Sequence, residues 1–402
     1  MAVLPLENIS PESSDAYFAD GLTEELITSL SKFAAFRVIA RTSVMRFKGQ
    51  QKTVSEISKE LGVNVLVEGS VRKLGNKLRV AVQLVDAKSE ERIWSREYDR
   101  EIDDAFAIQS DIAKKIASAL KVKIPEHERK AIENLAASVP DAYNLYLNGR
   151  YYWNQRTEAG LKKSIEFFNE SLKKDPKFAL AHTGLADAYG QLAVFEFLRP
   201  REAFPKARSE AEAALTINNG LAEAHTSLGL VLFQFEREWS GAEREFKRAI
   251  ELNANYAPAH QFYADFLKAM GRFEEAIEQM KQALEIDPLS LAINTGFGHV
   301  LYLSRQYDRA IEQYQKVVNM DPNYAHARLW FGRPYLQKGM FKEAVAELEA
   351  AASLSGRSTM SLAVLGHALA SSGNREEAMK ILGELSQRAK EKYLPSYWIA
   401  LI

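Results

Sequence analysis

Three groups of residues could carry chemistry in this chain. The first joins Asp20, Glu24 and Glu25 to Arg41 and Arg72 in segments of related character. Carboxylates and guanidiniums gathered at strand ends would make a pocket for a small ligand or a partner, or, with Glu24 taking a proton, an enzyme site. The competing reading is an acidic first helical turn that complements the helix dipole and pairs with arginine. It is the cheaper one, because no nucleophile–base pair accompanies the cluster. The second group is histidine. His182, His225 and His260 recur at one position of successive similar segments, so they form either a ladder of metal ligands or, the favoured reading, a packing position. His299 and His367 have no carboxylate at ligand spacing. The third group, Arg37, Arg41, Arg46, Lys48 and Lys52, is a modest basic run that reads more simply as a solvated edge than as a nucleic-acid surface. Neither phosphate-binding glycine loop occurs, nor His-Glu-x-x-His, nor Gly-x-Ser-x-Gly. With no cysteine in the chain, disulfides, thiolate ligands and thiol nucleophiles are excluded. The expectation is therefore a chain with no catalytic centre, cofactor or metal.

The elements that would position these residues fall into two rhythms. In the later one, the triplets Lys174-Asp175-Pro176, Ile217-Asn218-Asn219, Leu252-Asn253-Ala254, Ile286-Asp287-Pro288, Met320-Asp321-Pro322 and Leu354-Ser355-Gly356 end at positions 176, 219, 254, 288, 322 and 356. The steps are 43, 35, 34, 34 and 34, the first lengthened by an insertion around residues 196–201. A small residue recurs on the first helix of each unit (Ala186, Gly229, Ala264, Gly298, Gly332, Gly366) and another on the second (Ala207, Ala242, Ala276, Ala310, Ala344, Ala378). Phe273, Tyr307 and Phe341 are expected to fill the core within a unit, with Gly271, Gly339 and Gly373 making the turns. Residues 141–402 thus resemble tetratricopeptide repeats, about seven in number. Such an array is a superhelix whose first helices line a concave face for a partner protein or peptide. The candidates on that face are Asp187, Gln191, Thr226, Phe233, Gln234, Gln261, Asp265, Lys268, Thr295, His299, Tyr302, Arg333, Gln337 and His367. The clustered Lys, Arg and Asn that capture a C-terminal carboxylate in relatives of this kind are missing.

Residues 1–125 read as β-α-β-α-β-β-β-α, an α/β sandwich with one sheet face covered by helices, so the whole chain is α+β in class. Strands are expected at Ala2–Leu6, Phe36–Ala40, Val63–Lys73, Lys77–Val85 and Arg92–Tyr98. Gly75-Asn76 forms a two-residue hairpin, and Leu78, Val80, Val82 and Leu84 point inward. Helices are expected at Tyr17–Phe33, from Thr53 (capped by Glu56) to Gly62, and over Asp103–Lys121. A charged helical linker spans residues 126–140. The runs Val3-Leu4-Pro5, Tyr17 to Leu26, Val38 to Ser43 and Val67 to Arg72 resemble the TolB-amino-terminal-like (FlgO-like) domain. That resemblance implies a bacterial signalling protein, in which a winged-helix regulator, an adenylate cyclase or a Ser/Thr kinase precedes such a domain and its repeats.

The composition, 47% hydrophobic and 26% charged with a net charge of −1, suits a folded protein with no global pull toward nucleic acid or anionic lipid. No run approaches the roughly 18–20 apolar residues that cross a bilayer. Both ends read as cuts through a longer protein whose upstream effector domain is missing, and the compartment stays open. The leading expectation is a non-enzymatic scaffold or sensor that binds a protein or peptide through its repeats. A periplasmic cell-envelope adaptor is the second, and an enzyme using the Asp20–Glu24–Arg41 group the third.

Overall fold

A computed structural model of the chain describes residues 1–12, 15–101, 105–122, 139–195, 197–391, 394 and 396–402. The expected linker at 126–138 lies outside them. The amino-terminal part runs β1 (Ala2–Val3), β2 (Glu7–Asn8), α1 (Ala16–Ser31), α2 (Arg41–Val44), α3 (Val54–Leu61), β3 (Val65–Leu74), β4 (Lys77–Asp86), β5 (Arg92–Glu101) and α4 (Ala105–Ala119). The strand order is β1-β3-β4-β5, with β2 also on β3; β1 and β2 pair parallel to β3, and the rest is antiparallel. Gly75, at φ +58°, makes the β3–β4 turn, a conformation glycine adopts without cost. Leu78, Val80, Val82 and Leu84 are all buried. Thr53 and Glu56 close the capping box on α3, and Gly62 ends that helix in the left-handed region.

One expected strand does not form. Residues 36–40 make no ladder; Ile39 N–H donates to the Met1 carbonyl and Ala40 N–H to that of Ile286, at 2.9 and 2.8 Å. A ladder needs successive partners, and β1 beside this segment is only two residues long. The first expected strand is likewise split into β1 and β2.

Among the described residues, fourteen helices then follow, taken two by two in chain order: α5 (Pro140–Trp153) and α6 (Glu158–Lys174), α7 (Ala179–Val194) and α8 (Pro200–Ile217), α9 (Ala222–Val231) and α10 (Trp239–Leu252), α11 (Ala257–Ala269) and α12 (Phe273–Ile286), α13 (Leu291–Leu303) and α14 (Tyr307–Met320), α15 (Ala325–Gln337) and α16 (Phe341–Leu354), and α17 (Thr359–Ser371) and α18 (Arg375–Glu391). A short α19 (Ser396–Ala400) closes the chain. The first helix of each pair is called A and the second B below. Two compact units result: Met1–Phe266 with Glu285–Pro288, and Leu267–Leu284 with Leu289–Ile402.

In four of the pairs a glycine on helix A receives one large side chain from helix B. A Cβ at Gly149 would run into the Phe168 ring; at Gly229 it would sit 2.8 Å from Phe246, at Gly298 2.6 Å from Tyr314 and at Gly332 2.5 Å from Leu348. These B residues are fully buried. Phe273, Tyr307 and Phe341, expected to fill that core, do not: they open their helices, Phe273 and Tyr307 half-buried and Phe341 exposed. The A–B turns pass through the left-handed region at Gly271, Gly339 and Gly373, and at Arg156, Arg237 and Arg305 in other pairs. Gly298→Ala is expected to force the Tyr314 ring out of its slot at a cost of about 1–3 kcal/mol. Denaturant unfolding of the intact variant checks this; an unchanged midpoint would show that the slot has room.

Candidate functional site

The acidic cluster is assembled, but not as a pocket. Helix α1 begins at Ala16, so Asp20, Glu24 and Glu25 lie past its first turn, and the helix-dipole explanation fails on position. Both faces of α1 are covered, by β1, β2 and α4 and by α5 of the first helix pair. Its polar residues are therefore buried along with Phe18, Leu22, Leu26 and Leu30. Glu24 meets Arg150 of α5, which donates from Nε and Nη2 to Oε1 at 2.8 and 2.5 Å. Asn154 Nδ2 donates to Oε2 at 2.9 Å, and Arg41 Nε lies 3.4 Å from the same oxygen. Arg150 Nη1 reaches on to Asp187 of α7 at 3.2 Å, and Asp187 accepts from Ser227 Oγ of α9 at 2.6 Å. One ion chain thus runs from α1 across three successive A helices. Asp20 pairs separately with Lys48 at 2.5 Å.

Burial by itself would raise the Glu24 carboxyl, but the Arg150 and Arg41 guanidiniums outweigh it and hold the group below its ordinary value. Glu25, which Tyr146 hydrogen-bonds, has no salt bridge among the described residues. Burial and the charge of Glu24 push it up to about 7, against the pull of Arg150 and Lys32. Around it Gln109 donates to the Glu25 carbonyl and to Ser29 Oγ at 2.8 and 2.6 Å, and Tyr143 donates to Gln109 at 2.9 Å. Further along, Asn253 and Asn255 donate to Ser31 and Phe36, and Ser43 Oγ donates to Asp287 at 2.5 Å. Burial raises Asp287 to about 6. Arg72 takes no part: it is exposed on β3, opposite Arg79 across the ladder, while its neighbour Val71 points inward. A cleft of about 1070 Å³ on the sheet is lined by residues that include Gly69, Glu68, Lys48 and Arg96, and by none of the five cluster residues.

On the A-helix face of the first unit, Asp187 is consumed by the ion chain. Thr226 is buried, its hydroxyl bonded to the Ala222 carbonyl one turn back at 2.8 Å. Phe233 packs edge-on against Phe266 and Trp239 in a π-helical turn over Leu232–Glu236. Gln191, Gln261 and Asp265 are half-buried, and Gln234 is exposed. In the second unit Thr295 repeats the threonine arrangement, bonding to the Leu291 carbonyl at 2.7 Å; neither threonine hydroxyl faces a partner. His299, Tyr302, Arg333, His367 and Lys268 are half-buried, and Gln337 is exposed. Lys268 Nζ donates to His299 Nδ1 at 3.4 Å, and the His299 ring lies 3.9 Å from that of Trp330. Burial, Lys268 and Arg333 pull His299 down to about 2, so it is neutral.

The histidine series is a loop brace. His182 and His225 face Glu210 and Glu245 at 2.6 Å, and their other ring nitrogens approach the Pro176 and Asn219 carbonyls at 3.4 and 3.1 Å. His260 approaches the Ala254 carbonyl at 3.0 Å, and Arg328 donates to the Pro322 carbonyl and to Glu347. Every acceptor carbonyl lies six residues before its helix-A residue. No group of three or more metal-ligand side chains occurs among the described residues. The residues that sequence reasoning misses are Arg150, Asn154, Ser227, Trp330 and Tyr314. Only Arg150 carries a signal, as an isolated charge on an otherwise neutral stretch of helix.

Residues 236–294 and 301–355 match the tetratricopeptide repeat family model. The helix pairs over those residues match tetratricopeptide repeats. Residues 1–118 match the model of the second domain of HilA/YgeH-like transcriptional regulators. A Rhizobium meliloti (strain 1021) protein named "Putative adenylate cyclase 3" is 32% identical over 59% of this chain and 40% of its own length. The transcriptional regulator HilA of Salmonella typhimurium is 23% identical over 73% of this chain and 51% of its own. The chain spans about half the length, or less, of these curated relatives. A solved chain of the APC/C Cut9–Hcn1 hetero-tetramer aligns over 67% of this chain and 53% of its own, at 17% identity and a TM-score of 0.48. Among the described residues no helix is long and apolar enough to cross a membrane.

Arg150→Met is expected to strand two buried carboxylates beside the first repeats and to cost about 3–5 kcal/mol. In a double-mutant cycle with Glu24→Leu, the paired loss falls short of the sum by more than about 1 kcal/mol; additive losses would mean the ion chain is not coupled. Glu25 supplies a pH test. The folded chain keeps its proton up to about pH 7, whereas the unfolded residue releases it near 4.5. Raising pH through that window therefore favours unfolding, by about 1.4 kcal/mol per unit at most. Asp287 acts in the same sense up to about 6, and Glu24 acts in the opposite sense only below its ordinary range. His299, His326 and the Met1 amino group, all held below their ordinary values, act in the opposite sense, so the test is the difference between two proteins. From pH 5 to 7 the melting temperature of Glu25→Gln should gain steadily on that of the parent; parallel slopes would reject the assignment.

Proposed function

We propose that the chain is the scaffolding or sensory part of a bacterial signalling protein, with the A-helix face of its repeats binding a partner protein or peptide. The observation that carries the reading is the order of the two matched families. A domain resembling one from transcriptional regulators precedes tetratricopeptide repeats, and the relative of 32% identity carries an adenylate cyclase name. This fits the resemblance of residues 2–125 to the TolB-amino-terminal-like domain, a module that stands between effector and repeats in proteins of that kind. Output chemistry then belongs to an effector domain, and the repeats supply recognition. The half-buried polar and aromatic side chains on the A helices of the second unit suit that role, because amphipathic groups combine contact area with orienting hydrogen bonds.

Photo-cross-linking in the bacterium tests it. A benzophenone residue at Tyr302 or Gln337 is expected to trap one and the same identified protein, whereas one at Glu349, exposed on helix B of the sixth repeat, traps none of it. Equal trapping from both faces, or none from either, would sink the reading.

A further inference from the structure

Resting on that reading, we infer that the side-chain cluster of Arg333, Tyr314 and Trp330 in the second unit seats a carboxylate of an acidic partner peptide. The chain fills one site of this kind by itself. On α5 the Arg150 guanidinium lies over the Trp153 ring at 4.2 Å, and its outer edge holds the Glu24 carboxylate delivered by another element. On α15 the Arg333 guanidinium lies over the Trp330 ring at the same 4.2 Å, with the two residues again three positions apart on an A helix. Stacking on an aromatic face pre-sets the planar fork for a planar anion. Yet among the described residues no carboxylate acts on Arg333. Burial pulls Arg333 below its ordinary value, and the other groups around it are the phenols of Tyr302, Tyr397 and Tyr314.

Two polar atoms in this cluster are buried with no hydrogen-bond partner among the described residues: Arg333 Nε and the Tyr314 hydroxyl. Tyr314 is fully buried, with its ring laid against Gly298. A buried donor left unsatisfied costs roughly 1–3 kcal/mol, which an arriving acceptor would recover. His299 completes the wall. Neutral and accepting from Lys268 at Nδ1, it carries its ring proton on Nε2 as a further donor. One guanidinium with neutral donors matches the single charge and two oxygens of a carboxylate.

Fluorescence anisotropy on the intact chain, with a labelled twelve-residue peptide alternating Leu and Glu, tests the inference against the same peptide carrying Gln for Glu. The Glu peptide is expected to bind at least about tenfold more tightly. Arg333→Met abolishes that preference, Tyr314→Phe narrows it severalfold, and Lys342→Met on the exposed face of helix B leaves it intact. Because Arg333 has no carboxylate to strand, its Met variant should melt no lower than the parent, which separates lost binding from lost folding. Equal binding of the two peptides would overturn the seat while leaving repeat-mediated binding standing. Binding of neither peptide would overturn it too, as would an Arg333→Met variant that keeps the preference or displacement of the Glu peptide by inorganic phosphate but not by glutarate.

Discussion

The first unit depends on one buried ion chain, Glu24–Arg150–Asp187. Arg150 is the central link: it is shared by two carboxylates, and its far end joins the second and third A helices through Ser227. A charge taken out of water is tolerated only when partners surround it. Helix α1 therefore has one position on α5 in which Glu24 reaches both Arg150 and Asn154. From that position the rest follows. Gln109 spans α1 and Tyr143, Asn255 reaches the backbone at Ser31 and Phe36, and Ser43 reaches Asp287. These contacts are directional and mostly polar. They fix where α1 lies more than they add net stability, since a buried ion pair roughly breaks even against an apolar replacement.

The repeats are organised by a different constraint, close packing. A glycine on helix A and a Phe, Tyr or Leu on helix B form a single joint, and a methyl group more would not fit. In four of the pairs a helix-A histidine or arginine then ties the pair to the loop before it by way of the carbonyl six residues back. Packing sets the separation of the two helices, and the brace sets the angle of the incoming chain. Both are local to a repeat, which is why the period survives even where glycine gives way to arginine at the turn.

That locality decides what is legible in the amino-acid sequence. The repeat boundaries, the Gly75 hairpin and the Thr53–Glu56 cap are short-range patterns, and they hold in the structure. Phe273, Tyr307 and Phe341 are misplaced because residue type does not say which turn of helix B faces the glycine; the slot belongs to Phe246, Tyr314 and their equivalents further along. Thr226 and Thr295 look like groove residues by polarity, but each hydroxyl is absorbed one turn back on its own helix. Glu24 pairs with arginine as expected, but from the middle of its helix and not from the first turn. Its partner Arg150 is 126 residues away, and no periodicity links positions in different domains. Arg72 resembles that cluster in character alone, and strand alternation sends it outward.

The A-helix surface therefore serves two purposes in one chain. In the first unit it is largely spent, with Asp187 and Arg150 committed to α1. In the second unit the same residue types recur with no such commitment, and Arg333 keeps a desolvated charge against Trp330 and three phenols. Holding a guanidinium that way costs free energy in the isolated chain, and packing on its own would favour an apolar side chain of similar length. A half-buried arginine with no carboxylate beside it is explained most economically by a counter-charge that arrives from outside. The intramolecular pair at Arg150 shows the chemistry such a counter-charge would have.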